Sequence, residues 1–318
     1  MNLRSIHTLW IAAVLVVLPF LFEDFTVFQI NLMLVYAIAV LGLNVLTGYG
    51  GQISLGHGAF YAIGAYTAAV LMEHAQMSAY MTLPIAGLIS LVAGILVGFP
   101  ALRLAGHYLA LATFALAMAI PQLLKYDSFE HYTGGVQGLV LMKPEVPFEF
   151  ELFGQELNDD RWLYYFILLV GTFIFWVCSN LMKGRIGRAI MAIREQPIAA
   201  GALGINLAAV KTMTFGLSAA ITGIAGALGA VTVAYVAPDS FLAFLSISIL
   251  VGAVVGGLGT IWGALFGAAF IQFIPNVADE ISKSAPWAVY GAILIALIYV
   301  APGGVMGLLR KLKKGDTA

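Results

Sequence analysis

The sequence predicts an all-α polytopic membrane protein of about ten transmembrane helices, with glycine-broken segments in both halves. The 318 residues are 61% hydrophobic and only 10% charged, whereas soluble domains carry roughly 25% charged residues. Apolar runs of membrane-spanning length follow one another along the chain, and clusters of glycine interrupt two of them. No shift in composition marks a separate soluble domain, so residues 1–318 are expected to form a single transmembrane domain.

A helix needs about 20 residues, most of them apolar, to cross a bilayer. By this criterion the expected spans are 5–22, 28–47, 58–72, 82–102, 107–124, 162–182, 209–234, 241–258, 261–275 and 287–308. The third, eighth and ninth are short or glycine-rich, so half-helices that do not cross are an alternative for them. Arg4 precedes the first run and no cleavage pattern of small residues follows it, so this run is expected to stay as a span.

Basic residues predict the orientation, because cytoplasmic loops are enriched in lysine and arginine. The loop 183–211 carries five basic residues and one acidic residue, and a further basic cluster follows residue 309. The loop 125–161 carries eight acidic residues against three basic ones. Ten spans place both termini and the 183–209 loop in the cytoplasm and the 125–161 loop in the periplasm, with Arg4 and Arg103 also inside.

The first glycine-broken stretch, residues 42–71, is the centre of an expected substrate pathway. Five glycines fall within eleven positions, and each costs a helix about 1 kcal/mol relative to alanine. Broken backbone inside a bilayer is tolerated where it is buried in protein or lines a wet cavity. We therefore expect a discontinuous helix beside a polar pathway; a cytoplasmic loop between two ordinary helices is the alternative. The residues assigned to this pathway are Asn44, Thr47, Gly48, Gln52, Ser54 and His57.

A second apolar stretch with a glycine break lies at residues 250–267, in the other half of the chain. Interrupted segments in matching halves point to a substrate site on a pseudo-twofold axis, so Gly256 and Gly257 join the expected pathway. Glycines four residues apart also let membrane helices approach closely, which is the alternative role for these glycines. The GxxxG pairs are Gly94 with Gly98, Gly252 with Gly256, and Gly263 with Gly267.

Several classes of function lack their sequence signature. The expected spans contain almost no ionisable residues, which ion-coupled carriers place at mid-membrane, and His57 is expected to be hydrogen-bonded rather than a proton relay. No GxxxxGK[ST], HExxH or paired-cysteine motif occurs, and Cys178 is the single cysteine. We expect no catalytic residue, metal site or cofactor in this chain and no nucleic-acid partner. A transporter without its own energy source is passive or is driven by a partner.

The cytoplasmic loop is expected to form two short helices. Isoleucines at helical spacing occupy residues 186–193, and Gln196 before Pro197 ends that helix. A short apolar turn follows, with Gly204 placed as a C-terminal cap and Asn206 as the N-cap of the next span. Helices this short need a surface to pack against. They form either a coupling element seated on a soluble motor or a helix lying on the lipid headgroups.

Four stretches resemble the permease subunits of bacterial ABC importers for branched-chain amino acids. They are GRIGRAIMAIREQPIAAGALGIN at 184–206, LNVLTGYGGQISLGHGAFYAIGAYTAA at 43–69, LRLAGHYLALATFALA at 102–117 and APGGVMGLL at 301–309. The leading span and the acidic outer loop are similar to the longer, LivM-type permease of the pair. The segment TGGVQGL at 133–139 departs from the family, which often has a polar or acidic residue where Val136 and Gln137 stand.

The resemblance implies a permease domain in the bacterial inner membrane that forms a heterodimer with a homologous permease. It also implies two cytoplasmic ATPase subunits that bind ATP and Mg, and a periplasmic binding protein that delivers leucine, isoleucine or valine. The alternatives are the same architecture carrying urea or short amides, a passive channel for a small neutral solute, a secondary carrier and a structural scaffold. The residues that the resemblance places at the ATPase contact are Arg188, Ala192, Arg194, Glu195, Ala199, Ala200 and Gly204.

Overall fold

The computed structural model describes residues 14–101, 104, 106–146, 148, 150–152 and 154–315. Its helices are α1 (Asp24–Leu43), α2 (His57–Ala75), α3 (Ala79–Ala101), α4 (His107–Leu124), α5 (Asp127–Thr133), α6 (Asp159–Lys183), α7 (Arg185–Glu195), α8 (Pro197–Ala202), α9 (Leu207–Val233), α10 (Ala243–Gly256), α11 (Gly263–Ile281), α12 (Pro286–Val300) and α13 (Gly304–Gly315). Its short strands are β1 (Leu139–Val140), β2 (Glu151–Leu152), β3 (Gln155–Glu156) and β4 (Tyr235–Val236). A π-helical turn, Asn44–Tyr49, extends α1, and 3₁₀ turns cover Leu18–Phe20 and Pro238–Phe241.

The polytopic helical fold predicted from the sequence is confirmed, but the count of about ten spans is not. Seven helical segments of the described residues are long and apolar enough to cross a membrane. Helices α2 and α11 each have 19 residues but are less apolar than these seven. Residues 5–13, the first half of the expected span 5–22, and Arg4 and Arg103 of the orientation argument lie outside the described residues.

The last expected span, 287–308, lies within the candidate span Pro286–Lys311, but its helix is interrupted. Helix α12 ends at Val300 and α13 begins at Gly304. The cause is local, because Pro302 has no N–H to donate and disfavours helical backbone at the residue before it. Gly304 then adopts φ +70°, a left-handed conformation that favours glycine. The chain therefore has a third glycine-containing break, which we call the C-terminal break (residues 301–304).

Helix α9 is the central helix of the fold and is largely buried. It packs against α3, α2 and α1 through small residues. A Cβ atom on Gly64 of α2 would overlap the carbonyl oxygen of Gly223, and one on Gly226 would overlap the carbonyl oxygen of Tyr61. A Cβ on Gly94 of α3 would lie 2.5 Å from the Cβ of Ala219. These glycines let the helix backbones touch, which is the dispersion-driven packing that membrane helices use.

The acidic loop 125–161 is partly ordered rather than a plain connection. Strand β1 pairs with β4, which directly follows the central helix, and β2 pairs with β3 in a short hairpin. An ion pair of 2.5 Å between Lys125 Nζ and Asp239 Oδ1 joins the start of the loop to the 3₁₀ turn Pro238–Phe241. The loop is therefore attached at two points to the segment that connects α9 with α10.

Arg161, at the start of α6, is a buried cation that the sequence analysis counted only as a loop charge. Its side chain is 2% exposed and forms an ion pair of 2.7 Å with Asp24 Oδ1. It donates to the carbonyl oxygen of Glu156 at 2.6 Å, to Gln155 Oε1 at 2.6 Å and to the carbonyl oxygen of Pro19 at 3.1 Å. Arg161 therefore holds the N-terminal segment, the loop hairpin and α6 together.

Replacing Arg161 with methionine is expected to lower the free energy of unfolding by about 3 kcal/mol, since it leaves buried acceptors and a carboxylate unpaired. Denaturant unfolding of the purified protein in detergent micelles measures this loss. The matched control is Lys143→Met, which removes the partly exposed pair with Asp160. That loss should be about 1 kcal/mol or less. Equal losses of unfolding free energy in the two variants would contradict the role of Arg161 in holding the three segments together.

Candidate functional site

The first glycine-broken stretch is a discontinuous helix, as its glycine spacing predicts. Helix α1 passes into the π-helical turn Asn44–Tyr49, residues 50–56 form no helix, and α2 begins at His57. Single π turns are rare and are found mostly inside helices at functional sites. Residues 44–48 of the π turn are buried inside the protein, whereas Gly51 and Ile53 of the non-helical part are exposed.

The second glycine-broken stretch is also interrupted. Helix α10 ends at Gly256, and α11 begins at Gly263. Between them Gly257 adopts φ +112°, a conformation that residues with a Cβ rarely reach. The two helices touch at their small residues, because a Cβ on Gly256 would overlap the carbonyl oxygen of Gly263. Both roles that the sequence suggested for these glycines, helix break and close packing, are therefore present in one hairpin.

Asn44 joins the two breaks. Its side-chain Nδ2 donates to the carbonyl oxygen of Thr260 at 2.7 Å, and its Oδ1 accepts from the backbone N–H of Gly259 at 2.8 Å. The side chain is fully buried. Gly48 lies against this pair, since a Cβ there would overlap both Asn44 Oδ1 and the nitrogen of Gly259. One amide thus satisfies backbone groups that the second break would otherwise leave without a partner.

The C-terminal break packs on the second break from the other side. A Cβ on Gly304 would lie 2.5 Å from the Cα and the nitrogen of Gly257. A Cβ on Gly257 would lie 3.0 Å from the carbonyl oxygen of Gly303. The sequence analysis missed this contact, although the Pro-Gly-Gly tripeptide was a signal for it. All three breaks therefore meet at one place, which we call the junction, formed by Asn44, Gly48, Gly257, Gly259, Thr260 and Gly304.

Arg194 reaches from α7, in the loop 183–209, to the junction. Its Nη1 donates a hydrogen bond to the carbonyl oxygen of Gly48. The Cγ of Arg194 lies so close to Gly51 that a Cβ there would be 2.8 Å away, and its Nη1 would be 3.6 Å from a Cβ on Gly259. The resemblance places Arg194 at the ATPase contact; in the structure this residue is exposed, and its guanidinium also binds the first glycine break. Helix α7 is thus tied directly to the junction.

Ser54 and His57 belong to a separate hydrogen-bond network at the start of α2. His57 Nδ1 lies 3.0 Å from Ser54 Oγ, and its Nε2 lies 2.6 Å from Ser218 Oγ on α9. Ser218 Oγ donates its only proton to the carbonyl oxygen of Gly42 at 2.6 Å, so it accepts from His57 Nε2–H. Nδ1 is then the acceptor from Ser54 Oγ–H. A neutral His57 satisfies every bond, in agreement with the expected hydrogen-bonded role.

The remaining predicted pathway residues are Thr47, Gln52 and Gly256. Thr47 Oγ1 donates to the carbonyl oxygen of Gln52 at 2.9 Å and fixes the turn after α1. Gln52 itself is partly exposed, and Gly256 is buried against α11. The structure therefore brings Asn44, Gly48 and Gly257 together in the junction. It separates them from Ser54 and His57.

The loop 183–209 has the two short helices that its sequence predicts. Gly204 follows α8 with φ +82°, and Asn206 Oδ1 accepts from the N–H of Ala209 at 3.0 Å as an N-cap. Most residues that the resemblance assigns to the ATPase contact are exposed, whereas Ala192 is half-buried and Ala200 is buried at 2% exposure. Two residues that the sequence analysis did not single out are the most exposed apolar ones here, Ile198 at 88% and Leu203 at 82%.

Comparison with known proteins decides the family. The chain matches the family model described as branched-chain amino acid transport system, permease component, over residues 25–302. The chain belongs to this permease family. The resemblance drawn from its four sequence motifs is therefore confirmed, and the three breaks and the loop 183–209 described above are features of a member of this family.

Curated relatives of the chain include both permeases of such systems. The chain is 32% identical to the high-affinity branched-chain amino acid transport permease LivM of Salmonella typhimurium, over 94% of the chain and 74% of that protein. It is 32% identical to LivM of Escherichia coli over 93% of the chain and 74% of that protein. It is 26% identical to LivH of Escherichia coli over 86% of the chain and 91% of that protein. No solved structure matches the chain significantly.

Proposed function

We propose that this protein is a transmembrane permease subunit of an ATP-driven importer of branched-chain amino acids. The observation that carries the mechanism is the hydrogen bond from Arg194 to Gly48, which links the cytoplasmic loop to the glycine breaks. Family membership and the names of its relatives support the cargo. Leucine, isoleucine and valine are small zwitterions, which backbone dipoles and amide groups can hold without a formal charge in the protein.

The proposed mechanism uses the breaks as moving parts. Partner ATPases bind ATP and Mg and displace helices α7 and α8 when they close and reopen. The Arg194 guanidinium transmits this displacement to the Gly48 carbonyl, and Asn44 passes it to Thr260 in the second break. Backbone that is not helical can change φ and ψ at low cost, whereas packed helices move as rigid bodies. The junction would therefore open and close the pathway while the helices around it stay intact.

The assembly that we propose contains a second, homologous permease, two cytoplasmic ATPases and a periplasmic binding protein. The existence of LivM and LivH as separate relatives supports a heterodimer of permeases. We further propose ten spans in the bacterial inner membrane, with both termini and the coupling loop in the cytoplasm. The distribution of basic and acidic residues supports this orientation.

Uptake by the reconstituted complex tests the function. The test uses proteoliposomes that contain the chain, the second permease and the ATPases, with binding protein added on the opposite side of the membrane. They should concentrate leucine, isoleucine or valine only when ATP is present on the side of the ATPases. Uptake of urea or short amides instead of these amino acids would show that the substrate assignment is wrong, while the ATP-driven mechanism would stand. Flux through the chain alone, without ATP, would contradict the proposal and indicate a passive channel.

Aspartate in place of Ile198 is expected to weaken association with the ATPases by at least about tenfold, because the exposed side chain is proposed to enter an apolar groove of the partner. Co-purification through a tag on the ATPase measures the association. Val136→Asp is the matched control, since Val136 is also an exposed aliphatic residue, at 63% exposure, but lies in the acidic outer loop. Equal association of both variants would exclude Ile198 from the contact.

A further inference from the structure

A cavity of about 440 Å³ lies between α1, α10, α11 and α12 and contains none of the predicted pathway residues. Its volume falls within the roughly 300–1,000 Å³ that small-molecule sites usually have. It also borders the 3₁₀ turn Pro238–Phe241, whose Asp239 forms the ion pair with Lys125. The cavity is therefore on the same side as the acidic loop, where substrate would arrive.

The walls of this cavity combine apolar and hydrogen-bonding groups. Leu245 and Ile271 are among its apolar residues, and Ser248 and Gln272 supply a hydroxyl and an amide. Pro275 lies inside α11 and also lines the cavity. Because proline has no N–H, the carbonyl oxygen of Ile271 lacks its usual partner in the helix. A carbonyl oxygen freed in this way is open to a donor from outside the helix.

Carboxylates lie at the edge of the cavity. Asp239 lines it, and Asp279 lines an adjoining cavity of about 180 Å³. The two cavities share Pro275, Trp287 and Tyr290. An aromatic face such as that of Trp287 also attracts a cation. Asp239 is already paired with Lys125, whereas Asp279 forms no ion pair within the described part of the chain. The combination of Asp279, a freed carbonyl and an aromatic ring favours a ligand with an ammonium group, and the leucine and isoleucine walls favour an aliphatic side chain.

We propose that the two adjoining cavities together form an entry site for the imported amino acid, with its α-ammonium group near Asp279 in the smaller cavity and its branched side chain against α10 and α11 in the larger one. The inference rests on the proposed function and adds a defined site for the substrate within this subunit. The ligand's carboxylate is held away from Asp239 and Asp279 and accepts from the hydroxyl of Tyr290. Substrate would then move from this outer site to the junction.

Leucine binding to the full-length protein in lipid nanodiscs tests the site. Intrinsic tryptophan fluorescence should change on titration, because Trp287 lines the cavity. Leucine and leucinamide, which carry the ammonium group, should bind, whereas isocaproate, which lacks it, should not. Asp279→Asn should weaken leucine binding by about tenfold. Gln272→Leu should weaken it as well, and it provides a second variant if Asp279→Asn folds poorly.

Glu280→Gln is the matched control, since Glu280 is an exposed carboxylate next to Asp279 on α11 that does not line either cavity. Binding should be unchanged in this variant. Equal leucine binding by Asp279→Asn, Gln272→Leu and the unmodified protein would overturn the proposal. The proposal would also be overturned if the fluorescence did not respond to leucine but changed when phosphatidylethanolamine was exchanged for phosphatidylcholine. That result would identify the cavity as a lipid site.

The uptake assay separates failure of this site from failure of the proposed function. If the complex imports leucine with ATP while Asp279→Asn and Gln272→Leu import it at the normal KM, the entry site is wrong and the function stands. If the complex imports no branched-chain amino acid at all, the function itself is wrong. Import with a raised KM and unchanged ATPase activity in both variants is the result that we expect.

Discussion

Uptake by the assembled importer should fall by at least about tenfold when Arg194 is replaced with alanine, while the ATPases continue to hydrolyse ATP. The estimate follows from the loss of a hydrogen bond to a charged group, which contributes about 1.5–3 kcal/mol. Arg194 is the side chain of α7 that donates to the first glycine break. Without it, α7 would still move with the ATPases, but the Gly48 carbonyl would no longer follow. The measurement is the ratio of leucine imported to ATP hydrolysed in proteoliposomes.

Two further variants show whether the guanidinium itself carries the effect. Arg185→Ala removes an exposed arginine from the first turn of the same helix and should leave the ratio unchanged. Arg194→Lys keeps one positive donor but loses the planar fork of arginine, so a partial loss is expected. Normal coupling in Arg194→Ala would contradict the transmission role. Loss of ATPase binding in that variant would instead place Arg194 at the partner contact.

The parts of this fold that depend on local chemistry could be predicted from the sequence. Pro197, Gly204 and Asn206 fix the ends of α8 and the start of α9 through caps and proline geometry, and each is found where its residue type predicts it. The glycine cluster of residues 48–58 likewise breaks the helix in both prediction and structure. These features need no knowledge of what packs against them.

Contacts between distant segments could not be predicted in the same way. Asn44 was assigned to the pathway because it is polar and lies in an apolar stretch, but nothing in its neighbourhood identifies Thr260 as its partner. Arg161 was counted only among the charges of the loop 125–161, because its burial depends on the hairpin and the N-terminal segment that surround it. The cavity beside Pro275 likewise appears only when α11 meets α10 and α12. The roles of these residues depend on tertiary contacts, and sequence periodicity and helix propensity carry no information about which distant segments meet.

Alanine in place of Gly48 should reduce uptake to about a tenth or less and lower stability by about 1–3 kcal/mol, the usual cost of overpacking a filled site. The added methyl group would overlap Asn44 Oδ1 and the nitrogen of Gly259. It would push apart the two breaks that one amide now joins, and it would displace the carbonyl that Arg194 binds. Uptake is measured in proteoliposomes, and thermal unfolding in detergent reports the stability.

Gly291→Ala is the matched control, because a Cβ on Gly291 of α12 would have no atom within 4 Å. It should leave uptake unchanged, and it tests whether an added methyl group in a membrane helix matters by itself. Asn44→Ala removes the bridging bonds without adding volume and should also impair uptake, with ATP hydrolysis retained. Gly48→Ala crowds the junction and Asn44→Ala empties it. If both variants lose the coupling of uptake to ATP hydrolysis, the contact between the breaks is what transport requires. Normal uptake by Gly48→Ala would show that the breaks can separate freely, and the junction would then be a packing feature rather than the moving part of the importer.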